Sequence, residues 1–237
     1  MKKFATISAF VFLLIAMLSA GNFDDELLQK ARKIAETNQN LVPGLIRTIM
    51  YQTNKQGEKK GFTEIIIKTE LDKDGKIKNK FVKGSIDGKE VDENNPAVKK
   101  SLETDYSPKK ESLFFGEEAK NVQFSRTERE ENINGIKCMA FEYSRKMETD
   151  GKKYSEKGVI WLDEKSGKPI RREFTLDPLP KTVKSMTTSI LFDDENGNWV
   201  CKRIVSDISV QAMLLIKMNV HSEINFSDYW KYNENTR

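Results

Sequence analysis

From residue 45 onward, apolar residues recur at every second position, and this two-residue period dominates the chain. Alternation of that kind is the mark of strands with one face in a core. Residues 45–53 and 62–71 read as strands, the second carrying Ile65, Ile67 and Leu71 on one face and Glu64, Lys68 and Glu70 on the other. The "KDGK" step from Lys73 to Lys76 signals a turn, and a further strand spans 77–86. Val122 and Phe124, then Met139, Phe141 and Tyr143, mark two strands around the turn "NINGIK". Residues 154–162 and 170–176 form another pair, and 185–192 and 199–210 flank "DDENGN". A row of apolar residues on even positions then runs from Ile204 to Phe226. At about 3.3 Å per residue this exceeds a normal strand, so a turn near Gln211 must split it into two antiparallel strands.

Two stretches break the period. Residues 23–37 place Phe23, Leu27, Leu28, Ala31, Ile34 and Ala35 on one helical face, with Asn22 or Asp24 as the cap. Residues 92–118 have two prolines and no alternation. There, Asn95 and Pro96 start a short helix ending at Leu102, and Leu113, Phe114 and Phe115 form an apolar plug. A non-strand insertion of that length in a β domain is usually either functional or disordered. The expected class is mainly β (α+β), one domain over residues 22–237 with 92–118 as a lid-like insertion.

Composition adds a compartment. The chain of 237 residues opens with Lys2 and Lys3, an apolar run over 10–18, and the small residues Ser19, Ala20 and Gly21. This is the layout of a secretory signal peptide over residues 1–21, with cleavage after Gly21 placing Ser19 at the −3 position. The run is shorter than the roughly 20 apolar residues of a membrane span. The chain is therefore expected to be exported to an oxidising compartment. With 40 Lys and Arg against 36 Asp and Glu, interspersed rather than blocked, nothing calls for a nucleic-acid partner, and a monomer is expected. Cys138 and Cys201 are candidates for one disulfide in an oxidising compartment, with two inert thiols as the alternative. Both are expected on the strand side that does not carry the main apolar row.

Candidate chemistry is thin. The stretch "GVIWLDEKSGKPIRREF" (158–174) has a Gly-Lys step, but Leu162 replaces the first glycine of a phosphate loop and Pro169 the final Ser or Thr. Asp163 and Glu164 are adjacent, as are Arg171 and Arg172, and adjacent strand residues point to opposite faces. The acids read as turn residues and the arginines as surface charges. "ELDKDGKI" echoes a calcium loop, but Phe81 stands where a bidentate Glu belongs, so a hairpin turn is favoured. One histidine, His221, on the polar side of a strand supports neither a zinc site nor a nucleophile–His pair. No catalytic residue, metal or cofactor is expected.

What remains is apolar surface on one face of many strands. The groove candidates are Phe124, Phe141, Tyr143, Trp161 and Phe174, with Ile190, Phe192, Ile216 and Met218; the lid candidates are Leu102, Leu113, Phe114 and Phe115. These residues suit either an ordinary barrel or sandwich core, or an incompletely closed sheet whose concave face holds an apolar ligand.

Trp161, Leu162, Asp163, Ser166, Gly167 and Pro169 match the strand–turn–strand "W-[LI]-D-x-x-[TS]-G-x-P", and "DDENGNWV" and a closing "NFSDYWKY" follow in order. In these features the chain resembles envelope proteins of the LolA/LolB superfamily, in the group called outer membrane lipoprotein-sorting proteins. The resemblance implies a strongly curved antiparallel half-barrel with a helical cover. It also implies a non-enzymatic carrier of lipid or lipoprotein acyl chains, located in the periplasm. An inner-membrane lipid exporter or an outer-membrane acceptor would be its partner. The alternative within the same fold is an envelope-stress sensor or protein-interaction domain without lipid cargo. The carriers' Arg-Pro segment is not matched, and no site residue carries over individually.

Overall fold

The computed structural model describes residues 25–233, apart from 55, 105, 107–111, 117, 150 and 213–215. The expected signal peptide and Phe23 lie outside the described residues. The first element is helix α1, Glu26–Thr37. Asp25 is its N-cap, where Asn22 or Asp24 was expected, and its carboxylate accepts a hydrogen bond from the Leu27 amide at 2.9 Å. Leu27, Leu28 and Ala31 are its buried face.

The strands follow as β1 (Leu41–Val42), β2 (Leu45–Thr53), β3 (Lys59–Leu71), β4 (Ile77–Ile86) and β5 (Lys89–Glu90). Helix α2, Pro96–Glu103, is capped by Asn95, as its Asn-Pro start predicts. A 3₁₀ turn at Glu118–Asn121 leads into β6 (Val122–Ile133), β7 (Ile136–Thr149), β8 (Lys152–Asp163) and β9 (Pro169–Asp177). The chain closes with β10 (Val183–Glu195), β11 (Asn198–Ala212), β12 (Ile216–Ser227) and β13 (Trp230–Lys231). The long even-numbered row is therefore split where expected, between β11 and β12.

Among the described residues, β2 to β12 without β1 form one sheet in the order β5-β4-β3-β2-β12-β11-β10-β9-β8-β7-β6, while β1 pairs with β13. Every pairing is antiparallel. Two meanders thus meet where β2 pairs with β12, and β5 and β6 stand at opposite edges of an unclosed half-barrel. Strand register sets the inner face. Phe141, Ile160, Arg172, Ile190, Ile204, Ile224, Thr48 and Ile65 lie side by side in one rung across eight strands.

Both helices cover that inner face. Leu27, Leu28 and Ala31 of α1 pack with Leu113, Phe114, Phe141 and Ile160 in one core cluster. Val98 of α2 packs with Ile46, Ile65, Ile67 and Phe226 in a second. A third, smaller cluster of Ile133, Cys138, Ala140, Trp161 and Ile170 lies on the outer face.

Candidate functional site

Between the two inner clusters lies an apolar cavity of about 230 Å³. Its floor is the central rung, Ile160, Arg172, Ile190, Ile204 and Ile224, extended by Phe192 and Cys201. These residues come together because β8 to β12 pair antiparallel in sequence order, which brings every second residue of five strands onto one surface. Ile34 and Ala35 of α1, with Leu113, Phe114 and Phe115 of the insertion, form the roof. Phe114 stacks on Phe124 with centroids 5.6 Å apart, and Phe124 meets Tyr143 at 6.2 Å, so the insertion is anchored to β6 and β7 by aromatic contacts. Trp199 closes one side, its indole N–H donating to the Pro169 carbonyl at 2.5 Å.

The turn of the "GVIWLDEKSGKPIRREF" stretch seats α1 rather than binding a ligand. Asp163 organises it: its carboxylate accepts from the Ser166 hydroxyl and from the Lys165 amide. Burial works against ionisation of Asp163, but these hydrogen bonds outweigh it and hold the carboxyl below its ordinary range. Gly167 has φ +71°, and a Cβ there would come 2.4 Å from the Lys30 Cβ and 3.0 Å from the Leu27 carbonyl. Only glycine lets the helix lie this close to the turn.

A buried polar cluster forms one end of the cavity. Arg172, expected at the surface, is 1% exposed and lines the cavity wall. Its guanidinium donates to Glu156 and, at 2.7 Å, to the Tyr143 hydroxyl. It also lies 4.7 Å from the centre of the Phe174 ring. Tyr143 donates to Glu156, and Arg145 donates to the second oxygen of Glu156 at 2.6 Å. Burial tends to raise the Glu156 carboxyl, but Arg172 and Arg145 prevail and hold it below the usual carboxylate range. The Tyr143 hydroxyl is pushed well above its ordinary range, chiefly by burial, and so remains a donor. Adjacent placement of Arg171 and Arg172 does send them to opposite faces. Arg171 lies outside, 4.2 Å over Trp161 and 2.6 Å from Glu131.

The groove candidates divide accordingly. Ile190 and Phe192 line the cavity; Phe141 and Tyr143 belong to the packed cluster beside it, with Phe124 and Phe174 against them. Met218 pairs with Val210 on β11, away from the cavity, and the Ile216 side chain lies outside the described residues. Trp161 is a correction: it sits in the outer cluster beside Cys138, with Ile160 pointing inward in its place. Of the lid candidates, Leu113, Phe114 and Phe115 roof the cavity, while Leu102 packs in the second cluster under α2.

Cys138 and Cys201 form no disulfide, in line with the alternative of two separate, partly buried thiols. Cys138 lies on the outer face as expected, whereas Cys201 is a correction: it stands in the cavity wall, on the side of the apolar row. His221 lies 2.8 Å from Asp207 and stacks on Tyr51. Among the described residues, no three His, Cys, Asp or Glu side chains gather as a metal site requires.

No family model matches the chain, and no curated protein matches it significantly. Among solved structures, it aligns with the crystal structure of a DUF1329 family protein from Desulfovibrio piger. The two are 13% identical over 88% of this chain and 94% of that one, with a TM-score of 0.37.

Proposed function

We propose that this chain is an exported, non-enzymatic binder of lipid acyl chains, of the LolA/LolB-like kind, acting in the periplasm. The observation that carries the reading is the apolar cavity of about 230 Å³ between the concave sheet face and a cover built from α1 and residues 112–115. A cavity lined by Ile160, Ile190, Ile204, Ile224 and Phe192 has little to offer a polar metabolite. It suits a hydrocarbon chain, for which each methylene taken from water contributes about 0.8 kcal/mol. The cover rests on the sheet through side-chain contacts rather than strand pairing, which favours entry and release by its displacement.

Native mass spectrometry of the protein expressed with its leader and purified without detergent tests this. The expected result is a population carrying an extra mass that organic extraction releases as lipid. A protein that stays ligand-free, both as purified and after incubation with fatty acids and phospholipids, would sink the proposal. An exporter or acceptor protein as partner remains part of this reading, tested by transfer of the bound lipid to vesicles bearing that partner.

A further inference from the structure

The geometry points to one linear acyl chain, borne by a fatty acid or a lysophospholipid, as the occupant of this cavity, in preference to the paired or triple chains of a diacyl lipid or a lipoprotein. This rests on the acyl-chain reading above and narrows it. Volume is the first argument. An engineered apolar cavity of about 150 Å³ takes one benzene, six carbon atoms. By the same proportion, about 230 Å³ takes about nine, the distal half of one long acyl chain.

The boundaries are the second argument, because they deny the cavity room to widen. Next to the central rung, the inner face turns polar over β10 to β12: Thr188, Ser206 and Ser222 stand side by side, with the Thr188 and Ser206 hydroxyls 2.9 Å apart. The Thr188 and Ser206 hydroxyls bond each other and Thr188 is 5% exposed, so this rung offers an extra chain little apolar surface to lie against. At the Gly158 end of the strands the wall is Arg172, tied to Glu156 and Tyr143 in a cluster almost without exposure. Pushing it aside would separate charges already out of water. Toward β2 and β3 the space is filled by Val98, Ile46 and Ile67, all 1% exposed or less. These boundaries hold the apolar space to the volume of one chain.

The test is binding of four probes delivered from cyclodextrin and read by native mass spectrometry: palmitic acid, palmitoyl lysophosphatidylcholine, dipalmitoylphosphatidylcholine and a tripalmitoylated lipopeptide. The first two are expected to form one-to-one complexes retained at least tenfold more than the last two. The contrast between palmitic acid and the lysophospholipid tells whether the head group adds to the chain. Cys201→Trp places an indole in the cavity wall and is expected to lower single-chain retention at least tenfold with the circular dichroism spectrum unchanged. Should that variant misfold, Ile34→Trp blocks the cavity from the helix side. Equal or better retention of the two- and three-chain probes overturns the single-chain assignment and leaves the acyl-chain reading standing. Retention unaffected by a folded blocking variant overturns the assignment to this cavity. Binding of no probe at all overturns both.

Discussion

Glu156 holds a guanidinium on each carboxylate oxygen and is 1% exposed, so its charge has no water to fall back on. Removing one partner of a buried ion cluster leaves the rest uncompensated and costs about 3–5 kcal/mol. Glu156→Gln is therefore expected to lower the melting temperature by about 6–20 °C, at about 2–4 °C per kcal/mol for a domain of this size. The sign of the pH effect follows from the lowered carboxyl. The folded-state value lies below the ordinary 4.5, so the stabilisation is complete above that pH and is lost as pH falls through the folded value. Wild-type protein should lose melting temperature below about pH 4.5 more steeply than Glu156→Gln; parallel profiles would refute the cluster's role. Gly167→Ala tests the turn in the same way. Its φ of +71° and the 2.4 Å approach to the Lys30 Cβ predict a loss of about 1–2 kcal/mol from backbone conformation alone, with more from displacing the helix, measured by urea unfolding. At this scale the sequence was least informative. In "IRREF" the two-residue period puts Arg172 on the face of the groove candidate Phe174, but a charge there reads as solvated until Glu156 and Tyr143, distant in sequence, are seen to pair with it. The run "VIWL" likewise has no alternation, so Trp161 and Ile160 could not be assigned to faces.

Helix α1 is held at both ends by polar contacts and along its length by the cavity roof. At its start, Asp25 caps the Leu27 amide with one oxygen and accepts from Arg126 on edge strand β6 with the other, at 2.7 Å. Asp25→Ala removes both, and the cap alone is worth about 1 kcal/mol. The expected outcome is faster amide hydrogen exchange across Glu26–Thr37 with little change in the central strands; uniform acceleration would mean that the helix does not open on its own. The elements themselves were legible because their punctuation is chemical. Asn134-Gly135 and Asn196-Gly197 all adopt positive φ, the conformation of two-residue hairpins, and these turns join long alternating strands. The two-residue strands β1, β5 and β13 carry no period and were invisible, although β1 with β13 packs the chain's end beside α1. The short α2 was legible from Asn95-Pro96 for the same chemical reason as the turns.

At the scale of the molecule, two meanders share one sheet through β2 and β12, with the β1–β13 pair as a further link, and each inner core cluster lies under its own helix. The cavity lies on the β8–β12 side of that junction, its lining drawn from α1, from the insertion and from those strands. A ligand there touches the roof and the floor together, so binding energy adds to the contacts that hold the cover down. Free ligand at about 100 times its dissociation constant stabilises the folded state by about 2.7 kcal/mol. For a domain of this size that is a rise of about 5–11 °C in melting temperature. The distribution of the effect is the sharper test, since a nonspecific amphiphile that coats exposed Phe62, Leu71 or Val82 would not favour the cover. With palmitic acid bound in the cavity, slowed hydrogen exchange should concentrate in Glu26–Thr37, residues 112–116 and the middle of β10 and β11. Protection confined to β3 and β4, where those exposed apolar residues lie, would locate the lipid on those strands and remove the cavity from the mechanism.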